Sequence, residues 1–505
     1  MDIKAGPARK PTLDKDLDKL ADVGEAAGRL SRGLVAPGLA LLFIALAAVF
    51  ASVAGAGEPG VVVIVAAAAV AGYMALAIGA NDVTNNVSAA VGARALTITS
   101  ALVIAAIFET AGALLAGQNV IATISSDIVS PAQVGDAGLF VVLMLAALLA
   151  AALWVHIATW IGAPVSTTHS IVGAVVGAGA AAGVSAVNWW VMASIATSWV
   201  VSPVAGALIA ILFLYLIQAQ IVYRDDKIAA ARRWVPLYIG VMGGAFLTYL
   251  AALLAPDVVS GLFAMGGLAV LTTGVFWAIA HWTIARQSVG LENRNQSLRV
   301  LFRGPLIASA ALLSFAHGAN DVANAIGPLA AIVSALRATE ANATPVWVLM
   351  IGALGISTGL LLFGPKLVRM VGEQITKLNP VRGFCIALSV ALTVLIASAL
   401  GMPVSSTHIT VGAVFGIGFF REWYDANSTR RMAYLARRAE RRGISTETDP
   451  EARSKPARAT PPTELARRRL VRRAHVTTIL AAWLVTVPLS AALAAGLFHL
   501  FKLLG

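Results

Sequence analysis

The sequence predicts an all-α polytopic membrane protein built from a duplicated unit. Three observations carry that prediction. The chain is 58% hydrophobic and 12% charged, with a mean hydropathy of +0.82. Apolar runs of about 20 residues, the length that crosses the bilayer core, recur along its whole length. Two unrelated polar motifs each occur twice with one separation of 239 residues (79 to 318 and 164 to 403). Gly79-Ala80-Asn81-Asp82-Val83-Thr84-Asn85 returns as Gly318-Ala319-Asn320-Asp321-Val322-Ala323-Asn324, and Pro164-Val165-Ser166-Thr167-Thr168-His169 returns as Pro403-Val404-Ser405-Ser406-Thr407-His408.

Residues 1–33 are polar and charged, with Leu13, Leu17 and Leu20 spaced for one face of a helix over 13–31 and no cleavable signal peptide. The basic residues from Lys4 to Arg32 precede the first span, 34–53, which places the N-terminus in the cytoplasm by the positive-inside rule. That extra span (34–55) leads into the first repeat, 56–183. Here a helix from about 61 is expected to break at Asn81-Asp82, and Glu109 lies inside the next span, 96–115. An intramembrane carboxylate reads as functional, with pairing to Arg94 as the alternative. Residues 118–137, with Ser125-Ser126-Asp127 and Pro131, read as a loop, and a span over 139–160 enters Pro164–His169 and a Gly/Ala-rich helix to Gly183.

The connecting region, 184–299, holds apolar stretches at 189–217, 235–254 and 260–281. The loops carrying Arg224, Lys227, Arg232 and Arg233, and then Arg286, Arg294, Arg299 and Arg303, are two crossings apart, so both face the cytoplasm. The second repeat, 300–421, adds spans at 345–363 and 383–400 before Pro403–His408 and a helix to Phe420. Residues 421–475 hold 15 Lys and Arg against 7 Asp and Glu. This segment (422–475 after the repeat) supplies most of the chain's net charge of +12 and reads as a solvated cytoplasmic loop facing anionic lipid headgroups. It lacks the aromatic interleaving or the module that nucleic-acid binding needs. A span over 477–500, within 476–505, closes the chain, and the lone Cys385 excludes a disulfide framework.

The two motif pairs differ in chemistry. A helix opening on Pro-Val-Ser-(Ser/Thr)-Thr-His presents unpaired first-turn N–H groups, the positive end of the helix dipole and clustered hydroxyls. Ser166, Thr167, Thr168, Ser405, Ser406 and Thr407 are therefore the candidate anion site, built from dipoles with no fixed countercharge. An N-cap with spare hydroxyls is the plainer alternative. A carboxylate repels an anion, so Asp82 and Asp321 are assigned to a coupling cation, sodium or a proton. Asn81, Asn85, Asn320 and Asn324 add oxygen ligands suited to a hard cation, Asn85 and Asn324 also facing the substrate. Glu109 joins them as a coupling carboxylate, and His169 and His408 are candidate proton relays or packed histidines. Duplicated units meeting at broken helices are the architecture of secondary carriers, and no phosphate-binding Walker loop is present. The chain therefore reads as a carrier and not an enzyme.

With these residues in place the chain resembles the inorganic phosphate transporter (PiT) family of secondary carriers. The paired Gly-Ala-Asn-Asp-Val-x-Asn signatures, both Pro-Val-Ser-(Ser/Thr)-Thr-His segments and Phe108-Glu109-Thr110-Ala111-Gly112 carry the resemblance, which covers roughly 61–182 and 300–421. It implies about 12 transmembrane helices in two inverted repeats with broken helices near the midplane. It also implies symport of inorganic phosphate, free or as a metal–phosphate complex, with sodium ions or protons across the inner (plasma) membrane. No cofactor is implied beyond sodium as a coupling ion. The chain departs from the family pattern at Thr84-Asn85-Asn86, where Ala-Asn-Ala is expected, and at Cys385-Ile386-Ala387, where a Glu is expected. The coupling ion and stoichiometry stay open on that account. Sulfate and divalent-metal carriage also remain alternatives, and the oligomeric state, including a homo-oligomer, is not fixed.

Overall fold

The computed structural model describes residues 34–161, 165–257, 259, 261–337, 344–374, 379–440 and 474–504. The expected helix over 13–31 and most of the basic segment after 440 lie outside the described residues. Among the described residues, eleven helices are long and apolar enough to cross a membrane, and Thr167–Ala182 is a shorter apolar helix beside them. The chain is thus an all-α polytopic membrane protein.

The helices run α1 (Leu34–Ala54), α2 (Val61–Gly92), α3 (Ile98–Ala116), α4 (Gln118–Ala122), α5 (Pro131–Val134), α6 (Ala137–Trp160), α7 (Thr167–Ala182) and α8 (Trp189–Ile217). They continue as α9 (Lys227–Leu254), α10 (Leu262–Gln287), α11 (Asn295–Leu301), α12 (Arg303–Arg337), α13 (Val346–Gln374), α14 (Pro380–Ala399), α15 (Ser406–Asn427), α16 (Thr429–Glu440) and α17 (Ala474–Leu504). The stretch expected as a loop over 118–137 is thus mostly helical turns, including a π turn over Thr123–Asp127. The basic segment likewise begins as helix, with α15 running to Asn427 and α16 following it.

The expected breaks at Asn81-Asp82 and Asn320-Asp321 do not occur. Both signatures lie inside unbroken helices of 32 and 35 residues. An Asn or Asp side chain adds polarity without removing a backbone donor, so it does not interrupt the helical ladder when something polar faces it. The signature glycines serve contact, not bending. A Cβ on Gly79 would strike the backbone carbonyl of Ile356 in α13, and one on Gly318 would strike that of Glu109 in α3. Gly112 and Gly359 reciprocate against the carbonyls of Phe315 and Leu76. Small residues that let backbones approach are what join helices in lipid, where apolar burial between helices gains little. The same device recurs at Gly173 and Gly177 against Val487 and Ala491, and at Gly412 and Gly416 against Pro203 and Ala207.

The true interruptions fall one motif later, between α6 and α7 and between α14 and α15. Helix α12 is the centre of the bundle: it packs on α2, α3, α6, α13 and α14, and nearly every residue from Pro305 to Val333 is buried. Helices α9 and α10 form a pair set apart, with α10 resting on α9 and most of its apolar side chains exposed.

Candidate functional site

Four segments meet inside the bundle: the middle of α2, the middle of α12, and the starts of α7 and α15. Asp82 and Asp321 are 2% and 1% exposed. A charge at the centre of a span is destabilising by about 3 kcal/mol without partners. Partners are supplied by the two helix starts. Thr167 Oγ1 donates to Asp82 Oδ2 at 3.2 Å, and its repeat counterpart Ser406 Oγ donates to Asp321 Oδ2 at 3.3 Å. Asn85 Nδ2 donates to Thr407 Oγ1 at 2.8 Å, and the counterpart Asn324 Nδ2 donates to Thr168 Oγ1 at 3.0 Å. Thr407 Oγ1 in turn reaches Asp82 Oδ1 at 3.2 Å, whereas Thr168 Oγ1 donates to the Val404 carbonyl at 3.0 Å.

The anion and cation positions assigned separately from sequence therefore coincide: the hydroxyls touch the carboxylates. Ser166 and Ser405 have a different task. Each accepts the N–H of the His three residues on, at 3.2 Å and 3.4 Å, and is the N-cap of its helix. Pro403 accordingly lies two residues before the cap, whereas the sequence predicts it in the first helical turn. Asn320 is also taken up structurally. Its amide donates to Ser398 Oγ and the Met402 carbonyl, and its oxygen accepts from the Val404 N–H, which pins the segment entering α15. Asn81 is half-buried, and its backbone carbonyl accepts from Thr84. The His169 and His408 rings meet edge to face at 4.4 Å, and His169 packs on Trp199 at 3.9 Å, so their observed contacts are those of packed rings.

Glu109 is 1% exposed and, among the described residues, pairs with neither Arg94 nor any other arginine. It accepts from Asn86 Nδ2, and its Oε1 lies 3.4 Å from His317 Nδ1. His317 is the residue that the sequence reading missed. Its Nε2 lies 2.8 Å from Asp321 Oδ2 and 4.0 Å from Asp82 Oδ2, so one fully buried imidazole joins all three carboxylates. One ligand atom each from Asp82, His317 and Asp321 falls within 4.8 Å of the others. The expected oxygen-only set thus gains a nitrogen. Comparison of the repeats hid His317, because Ile78 occupies the counterpart position; its place one helical turn before Asp321 was the available signal. Asn86 was visible as a departure from the family pattern but not as the partner of Glu109.

Exposure around this cluster is uneven. Asn81, Thr84, Asn85 and Ser88 form a half-buried stripe along the second half of α2, opposite half-buried Thr407 and Thr410 of α15. The counterparts Asn320, Asn324 and Thr168 are buried. Four oxygens in the cluster, on Asn86, Glu109, Asp321 and Asn324, are buried without a protein hydrogen-bond partner. Spare acceptors, hydroxyl donors and helix N-termini are the groups that bind cations and oxyanions, and this buried cluster brings them together.

The chain is similar to known proteins. The model of a phosphate transporter family matches residues 78–494. The chain is 46% identical over 432 residues to the "Putative phosphate permease" of Helicobacter pylori, covering 83% of this chain and 80% of that protein. It is 40% identical over 356 residues to a namesake in Pyrococcus abyssi, covering 69% of this chain and 86% of that one. A solved structure titled the sodium-dependent phosphate transporter superposes with a TM-score of 0.74 at 32% identity, over 88% of this chain and 100% of that chain. On its matched length, its motifs and its fold, the chain belongs to the phosphate transporter family.

Proposed function

We propose that this chain carries inorganic phosphate across the inner membrane in symport with a cation, sodium or a proton. The observation that carries the reading is the contact between the hydroxyls of Thr167, Ser406 and Thr407 and the carboxylates of Asp82 and Asp321. With three carboxylates and one imidazole buried together, His317 supplies at most one positive charge. Buried charge left without a partner is strongly unfavourable. A cation or protons taken up by the carboxylates would neutralise the excess and release the hydroxyls, which then donate to phosphate. Each ligand stabilises the other's binding, and that mutual dependence is coupling.

The same contacts favour phosphate over sulfate. An anion at Thr167 or Ser406 lies within reach of a carboxylate, which accepts the O–H that phosphate retains at neutral pH and sulfate lacks. Sodium is the ion named for the structural relative, and His317 supports a proton as the second choice. We read the two units as inverted repeats around this fixed site. The half-buried stripe on α2 supports a state open towards the end of α2, the cytoplasmic face by the positive-inside rule. Opening the other face would separate Asn324 from Thr168 and bury Asn85 with Thr407.

Radiolabelled phosphate uptake into proteoliposomes, with sodium and proton gradients imposed separately, tests the proposal. Gradient-driven uptake that survives excess sulfate is the expected result. Uptake abolished by sulfate, or none under either gradient, would overturn it.

A further inference from the structure

Away from the transport site, a groove of about 510 Å³ opens between α9 and α10, lined by Arg232, Arg233, Trp234, Leu237, Trp277 and His281 among others. Helix α9 has 28 residues, about 42 Å of helix against a hydrocarbon core of about 30 Å. Its uncharged stretch from Trp234 to Leu254 is about 32 Å long and fills that core, so the preceding turns, which hold both arginines, lie in the headgroup layer. Arg233, Leu237 and Val241 fall on one stripe of α9, and His281, Trp277 and Val270 fall on one stripe of α10. The groove is thus basic at the end near the helix termini and apolar towards the bilayer centre, where Val241 and Val270 are 53% and 76% exposed.

The charges at the basic end are held in place but not neutralised. Arg232 Nε donates to Ser288 Oγ at 2.6 Å, and the Arg233 guanidinium lies 5.5 Å from the Trp234 ring. Arg286, at the adjacent end of α10, lies 3.7 Å from the Trp282 ring. No carboxylate ion-pairs with any of these three arginines among the described residues. Paired arginines and tryptophans at headgroup depth, above an exposed apolar stripe, match a lipid in charge and in length. We propose that this groove is a binding site for one anionic phospholipid, its phosphate held by Arg232 and Arg233 and its acyl chains lying along α10. The site is independent of phosphate carriage.

Titration of the purified full chain with dioctanoyl phosphatidylglycerol, read by native mass spectrometry, tests this. Dioctanoyl phosphatidylcholine and inorganic phosphate serve as the comparison arms. One preferred phosphatidylglycerol is expected, undisturbed by millimolar inorganic phosphate. Its affinity should fall roughly 30-fold in R232Q/R233Q and roughly 5-fold in R233Q alone. It should be unchanged in R224Q/R294Q, which removes equal charge outside the groove. Equal binding of phosphatidylcholine, or undiminished binding by R233Q and the double variant, would overturn the site. Displacement by inorganic phosphate would overturn the lipid as its occupant. The single variant keeps the test decisive should the double variant fail to fold, because Arg233 makes no side-chain hydrogen bond among the described residues.

Discussion

Asp82→Asn and Asp321→Asn are each expected to reduce phosphate uptake roughly 100-fold while the protein still inserts as a monodisperse species. Hydrogen bonds and ion contacts to a charged group contribute about 1.5–3 kcal/mol, and about 1.4 kcal/mol is a factor of ten. Asn keeps the volume and can still accept from Thr167, Thr407 or Ser406, so the helix contacts persist. What is lost is the negative charge that takes the coupling cation. The two variants should differ in a second readout. Asp321 lies 2.8 Å from His317 Nε2, whereas Asp82 is 4.0 Å away. Asp321→Asn therefore removes the nearest counterion of a fully buried imidazole and should lower the melting temperature more than Asp82→Asn does. Near-normal uptake by both variants would remove the carboxylates from the mechanism.

The largest effect on assembly is expected at glycines that bear no polar group. Gly79→Ala and Gly318→Ala each drive a methyl into a backbone carbonyl, that of Ile356 or Glu109, which no rotamer can relieve. Overpacking in a dense interior is destabilising by about 1–3 kcal/mol, and more where the obstacle is backbone. Both variants should therefore lose about 3 kcal/mol or more of stability, seen as low monodisperse yield and a lowered melting temperature. Gly304→Ala is the control: a Cβ there meets nothing within 4 Å, so the helix propensity of Ala makes the change neutral or mildly stabilising. Equal behaviour of Gly318→Ala and Gly304→Ala would refute the role assigned to the close helix contacts.

Much of the site was legible because it is written twice. The repetition singled out Asp82 with Asp321 and the two hydroxyl clusters, and their contacts recur in matched pairs. Features that break the repetition were harder to read. His317 corresponds to Ile78 in the other unit, so a search for what recurs passes over the residue that joins the carboxylates. The contact role of the signature glycines was not legible, because sequence does not show the neighbour that presses against a missing side chain. Asn320 and Asn324 share one motif, yet one pins the entry to α15 and the other holds Thr168, a division set by packing at a distance of about eighty residues or more along the chain. The basic region was read from its charge as loop, although Thr429–Glu440 alternates Arg with Met432, Leu435 and Ala in a helical period that the charge concealed.

In the proposed mechanism, cation uptake by the carboxylates frees the hydroxyls for phosphate. Equilibrium binding of radiolabelled phosphate to the purified chain, with sodium and pH varied independently, tests it most directly. Phosphate affinity is expected to rise at least about tenfold with one of the two cations, and this dependence to disappear in Asp82→Asn. Phosphate affinity that is unchanged across both sodium concentration and pH would contradict it.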